Sequence, residues 1–204
     1  MTGGKRKMKI LIDNGHGVNT PGKCSPDKAL REWAYCREIA QRVTDKLRSA
    51  GYNAERIVTE ETDTSLSERC RRVNAHCKVH GSKNCMCVSI HNNAAGADGK
   101  WHSARGFSVY VAPNASEKSK KLASIFTQTA ERMGLMGNRS VPAGKYWVGN
   151  FSIVRNTNCP AVLTENLFQD SKEDVSYLLS EEGKEAIATL HFEAIKRYIE
   201  EETL

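Results

Sequence analysis

The chain is predicted to be a single α/β domain with a mostly parallel, twisted central sheet flanked by helices on both faces. Two observations carry this. Short apolar runs alternate with segments whose apolar residues recur at spacings of three and four, and strands alternating with helices build a parallel sheet covered on both sides. A length of 204 residues, 39% hydrophobic and 26% charged, suits one substantial core and is short for two. No repeat or low-complexity linker marks a boundary, so residues 1–204 read as one domain with a core at about 8–199.

Lys9, Ile10, Leu11 and Ile12 form a short apolar run that ends in a polar, glycine-containing turn, the signature of a buried strand feeding a loop. Pro21, Gly22 and Pro26 keep residues 18–27 out of a helix. From 30 to 49, Trp33, Cys36, Ile39, Ala40, Val43 and Leu47 mark one face of an amphipathic helix that Gly51 is placed to stop. Residues 54–59 read as a strand and 65–79 as a helix, with Ser65 and Glu68 at capping-box spacing. Strands follow at 87–90 and 106–111, a helix at 116–133, and strands at 151–155 and 161–164. The tail holds a short helix at 174–179 and a longer one at 181–201.

Composition removes several classes of function. The mean hydropathy of −0.54 and the absence of an apolar run near 18 residues exclude a transmembrane helix. Lys5, Arg6 and Lys7 resemble the start of a secretory signal, but only Ile10, Leu11 and Ile12 follow before Asp13. Seven cysteines are an odd number; with no recognisable signal, they point to reduced thiols and synthesis in the cytoplasm. The net charge of +6 suits an anionic partner, yet no helix-turn-helix, finger or basic-aromatic stripe accompanies it, so no nucleic acid is expected.

In open α/β sheets, ligands bind beyond the carboxyl ends of the strands. Three expected strands run into chemically capable residues there: the first into Asp13-Asn14-Gly15-His16-Gly17, the third into His91-Asn92-Asn93, and that at 161–164 into Glu165. Glu32 lies in the first turn of the first helix. Two histidines and a carboxylate are a recognised catalytic zinc set with a position left for water, and a further carboxylate suits a general base. Gly15 and Gly17 would let backbone approach the metal. Singly, each residue has a plainer explanation: a hydrogen-bonded structural histidine, a carboxylate complementing a helix dipole, a solvated acid. Together they are harder to dismiss.

At these residues the sequence resembles the zinc-dependent N-acetylmuramoyl-L-alanine amidases of the amidase-3 family. The pieces are Ile12-Asp13-Asn14-Gly15-His16-Gly17, Arg31-Glu32, Ser89-Ile90-His91-Asn92-Asn93-Ala94 and Pro160-Ala161-Val162-Leu163-Thr164-Glu165, followed by the helical tail after Asp174. The resemblance implies a single catalytic domain with one zinc ion on His16, Glu32 and His91, and Glu165 as catalytic acid/base. It implies peptidoglycan as substrate, cut at the amide joining N-acetylmuramic acid to L-alanine. Zinc would acidify a bound water and polarise the carbonyl, while Glu165 would carry the water's proton to the departing amine. Asp13 would orient a ligand histidine. Val18 stands where a further glycine is common, and Asn166-Leu167-Phe168 where a glycine followed by an aromatic is frequent; both bear on substrate fit.

Rival readings are a zinc peptidase acting on the stem peptide and a non-catalytic wall-binding module. With no separate anchor and no export signal, the chain is expected to reach the wall after release, as in phage or prophage lysis, or by an unidentified export route. His76, Cys77, His80, Cys85 and Cys87 suggest a second metal cluster, but no pair has Cys-x-x-Cys spacing, so reduced thiols are favoured. His102 is a weaker ligand candidate than His91, and His191 reads as a packed helix residue. Trp101, Tyr146 and Trp147 would either stack on sugars or pin long loops. Arg105, Lys145 and Arg155 would either meet stem-peptide carboxylates or stay solvated.

Overall fold

A computed structural model describes residues 8–202; the Lys5, Arg6 and Lys7 cluster lies outside the described residues. The elements run β1 (Lys9–Asn14), α1 (Glu32–Ser49), β2 (Asn53–Arg56), α2 (Leu66–His80), β3 (Cys85–Asn93) and β4 (Ser108–Val111). They continue with α3 (Glu117–Arg132), β5 (Trp147–Val148), α4 (Ser152–Arg155), β6 (Ala161–Phe168), α5 (Lys172–Leu179) and α6 (Glu181–Glu202). One six-stranded sheet has the order β2-β1-β3-β6-β4-β5. Its first four strands are mutually parallel, and β4 pairs antiparallel with β6, so the expected mostly parallel sheet forms with a reversed β4–β5 edge.

Strand alternation sorts the interior into two layers. Ile10, Ile12, Val88, Ile90 and Val162 pack with residues of α1, α3 and α6 on one face. Leu11, Cys85, Cys87, Ala161 and Leu163 pack with Cys70, Val73 and Cys77 of α2 and Ile153 of α4 on the other. The chain moves outward from β1 to β2 through α1, then returns across β1 to β3 through α2. Right-handed crossovers in opposite directions put those helices on opposite faces and leave a crevice between the carboxyl ends of β1 and β3.

Several boundaries differ from expectation. Residues 151–155 form the single helical turn α4 rather than a strand: Arg155 N–H bonds Phe151 C=O and Asn156 N–H bonds Ser152 C=O. Ile153 and Val154 are buried there, and a short apolar run does not reveal its own period. The two-residue β5 lies in a stretch read as loop. Only half of the expected capping box forms. Ser65 Oγ accepts Glu68 N–H at 3.3 Å, while the Glu68 carboxylate turns to Arg71 and Arg72. Most consequentially, β3 and β6 outrun their apolar stretches, so His91 and Glu165 lie inside the sheet as register partners.

Candidate active site

Each of the four expected residues is delivered by a different element to the crevice. His16 follows β1 in the left-handed region, φ 60°. A non-glycine residue costs about 1–2 kcal/mol there. Packing requires both of its flanking glycines. A Cβ on Gly15 would lie 2.4 Å from the His91 ring, and one on Gly17 would lie 2.0 Å from the Asp63 backbone nitrogen. Glu32 opens α1, where its N–H is taken by Lys23 C=O at 3.0 Å. His91 sits near the end of β3, and its ring meets that of His16 edge-on with centroids 5.0 Å apart.

His16, Glu32 and His91 converge, with one ligand atom of each within 4.8 Å of the others; among the described residues no other such group forms. Glu32 Oε1 lies 3.3 Å from His16 Nε2 and 3.2 Å from His91 Nδ1, and accepts the Asn92 backbone N–H at 3.1 Å. Its second oxygen is buried with no partner. Burial would raise the Glu32 carboxyl, but bonds from the two histidines outweigh it and hold the group well below the carboxylate range. Burial would likewise lower His91, and the Glu32 carboxylate overrides it to raise the imidazole. The set therefore holds two nitrogen donors around an ionised carboxylate with a spare oxygen, an arrangement suited to a divalent metal ion.

Glu165 borders the same cleft, a cavity of about 460 Å³ that these four residues help to line. Its Oε2 is buried without a partner, and burial pushes the carboxyl up to about 7. Such a group exchanges a proton readily near neutral pH. The next strand residues are clamped: Asn166 Nδ2 donates to His91 C=O at 2.9 Å, and Asn92 Nδ2 donates to Asn166 C=O at 2.6 Å. Leu167 takes φ 62°, a left-handed conformation that glycine adopts without steric cost.

Asp13 does not orient a histidine. Its two oxygens accept Arg69 Nη1 at 2.6 Å and Ser89 Oγ at 2.5 Å. Arg69, on α2 and only 2% exposed, also donates to the carbonyls of Asn14, His16 and Thr64 and to Asp63. This guanidinium braces the loop that carries His16. The sequence reading missed it; the available signal is an arginine set one residue from Cys70 on the face that α2 buries.

The remaining candidates lie elsewhere. His76 pairs with Glu55 at 3.1 Å, while Cys77, Cys85 and Cys87 are core thiols, so no second metal set assembles from them. His102 bonds Asp98 at 2.9 Å. His191 is fully buried, donating from Nδ1 to Ile187 C=O at 2.8 Å and facing Thr164 Oγ1 at 2.9 Å. Trp101 and Tyr146 pack against the core, and Trp147 lies beside Tyr110 under the Arg139 guanidinium. Arg105 pairs with Glu173 and Asp174, Lys145 with Glu131, and Arg155 with Asn150.

Comparison with known proteins places the chain among amidases. The sequence is 26% identical over 188 residues to an endolysin of Bacillus phage SPP1, covering 91% of this chain and 64% of that protein. It is 27% identical over 192 residues to the N-acetylmuramoyl-L-alanine amidase CwlM of Bacillus licheniformis, covering 93% and 68%. The chain thus spans about two thirds of the length of these relatives. The fold matches the crystal structure of an N-acetylmuramoyl-L-alanine amidase from Clostridium difficile 630 with a TM-score of 0.79 at 24% identity, covering 95% of this chain and 97% of that one. Residues 10–197 match the amidase-3 family, described as N-acetylmuramoyl-L-alanine amidase, and the chain belongs to that family.

Proposed function

We propose that the protein is a zinc-dependent hydrolase that cleaves the amide between N-acetylmuramic acid and L-alanine in peptidoglycan. The observation that carries this reading is the convergence of His16, Glu32 and His91, with Glu165 beside His91 in the β3–β6 register. The unpartnered Glu32 oxygen and the two imidazoles fit one zinc ion held by these three residues. When bound, zinc supplies Lewis acidity that polarises a carbonyl and makes a nearby water easier to deprotonate. The chain's own contribution is proton handling. The Glu165 carboxylate takes a proton from the attacking water and passes it to the leaving nitrogen of L-alanine. A carboxyl raised to about 7 suits both halves of that transfer. The Asn92 N–H and the Arg69 brace keep Glu32 and the His16 loop in position throughout.

The same reading puts the site of action at the cell wall, reached after release or by an export route still to be identified. Among the described residues no helix is long and apolar enough to cross a membrane. The test is mass spectrometry of a digest of purified wall. Stem peptides with a free L-alanine amine are expected, and a chelator should stop their release. Shortened stem peptides would point to a peptidase instead. Wall binding without any cutting, after zinc is restored, would leave only a binding module.

A further inference from the structure

We propose that Gln169 and Asp170 form a substrate subsite that takes an amino-acid carbon bearing both an ammonium and a carboxylate, as 2,6-diaminopimelate presents at the third position of a stem peptide. The proposal rests on the peptidoglycan reading above. Immediately past β6, these two residues line a second cavity of about 250 Å³ together with residues of the 22–28 and 94–100 loops. Gln169 and Ala94 also line the catalytic cleft, so the cavity adjoins it at the end of the strand that carries Glu165. Two stem residues separate the scissile bond from the third side chain. An extended chain covers about 7 Å in that distance, which carries the third residue beyond the cleft and beside it.

The cavity has chemically opposite sides. Gln169 is 4% and Asp170 6% exposed, yet Gln169 Oε1 and Asp170 Oδ1 have no hydrogen-bond partner. The other Asp170 oxygen and neighbouring backbone groups are engaged. Asp170 Oδ2 accepts the N–H groups of Ala95 and Gly96 at 2.7 and 3.0 Å, Asp170 C=O accepts His102 N–H at 2.7 Å, and Gln169 N–H bonds Asn93 C=O at 2.8 Å. The Asp170 side chain and the Gln169 backbone are thus anchored; each side chain keeps an unpartnered acceptor, and buried acceptors without donors call for one. Lys28 and Lys100, exposed cations, line the same cavity. An ammonium satisfies the two acceptors and a carboxylate answers the two lysines. A diaminopimelate side chain ends in both; an L-lysine side chain ends in the ammonium alone.

The test uses two synthetic N-acetylmuramoyl tripeptides that differ only in meso-diaminopimelate or L-lysine at the third position. The zinc-loaded protein is expected to cleave the first with a kcat/KM at least tenfold higher. Gln169→Leu, and separately the Lys28→Ala/Lys100→Ala pair, should bring that ratio close to one; Asp170→Asn keeps an oxygen for Ala95 and Gly96 and should do the same. A role confined to holding the loop would lower both rates and leave the ratio. Equal turnover by the unaltered protein, or a ratio unmoved in every variant, overturns the subsite. Calorimetry of both tripeptides on Glu165→Gln reads the subsite without turnover. A preference there with no cleavage by the unaltered protein upholds the subsite and overturns the amidase reading, whereas equal binding overturns the subsite.

Discussion

Glu165→Gln is expected to make the metal-free protein more stable while nearly abolishing activity. The folded protein holds this carboxyl at about 7 against an ordinary 4.5, because burial disfavours its charge. Between those values the native state binds more protons than the unfolded chain, so stability falls as pH rises through the window. At about 1.4 kcal/mol per pH unit, ionised Glu165 costs the fold about 3 kcal/mol at pH 8 and less than about 1 kcal/mol at pH 5. Glutamine mimics the protonated acid and carries no such cost. Urea denaturation with chelator present should therefore separate the two proteins widely at pH 8 and hardly at pH 5. A bound zinc ion favours the carboxylate and should narrow the gap. Turnover should fall by about 10²–10⁴-fold, the usual worth of a positioned acid/base, with zinc retained. Identical stabilities at pH 8, or a gap independent of pH, would refute the burial argument; undiminished turnover would refute the proton role.

Arg69→Met leaves the Asp13 carboxylate buried with only Ser89 as partner, a loss of about 3–5 kcal/mol. Adding Asp13→Asn should recover part of it, and strictly additive effects in a double-mutant cycle would argue against the pair. The same variant frees the His16 loop, so zinc affinity measured by chelator competition should drop about tenfold or more. Acidification from pH 6.5 to 4 should cost up to about 3 kcal/mol through His191, whose burial pushes it down to about 4. The native state binds fewer protons there than the unfolded chain, so that stability is lost as pH falls, and His191→Gln should flatten the profile. With a thiol reagent, one cysteine, Cys24, should react fast in the native protein; the six buried ones should wait for unfolding. Several fast thiols would contradict the packing around α2.

Much of the architecture was legible because burial leaves a period in the sequence. The faces of α1 and α3 and the cores of β1, β3 and β6 are apolar runs that neighbours must cover. Less visible was anything made by a long-range pairing of polar residues. His91 and Glu165 look like loop residues after strands, and only the β3–β6 ladder shows them to be strand residues facing one another. The short helix at Ser152–Arg155 and the two-residue β5 owe their form to the surfaces they meet, which local spacing does not record.

By itself the sequence determined most of the order of strands and helices, the family, and the residue types available at the strand ends, since these depend on local pattern and on short motifs. Only the tertiary structure decided that Asp13 belongs to Arg69 rather than to a histidine, and that Gly15 exists to admit the His91 ring. It alone revealed that Gln169 and Asp170 keep unpartnered oxygens beside a second cavity. The physical reason is common to all three. Hydrogen bonds, steric clearance and desolvation depend on atoms brought together from distant segments, and the sequence does not record which of those segments will meet.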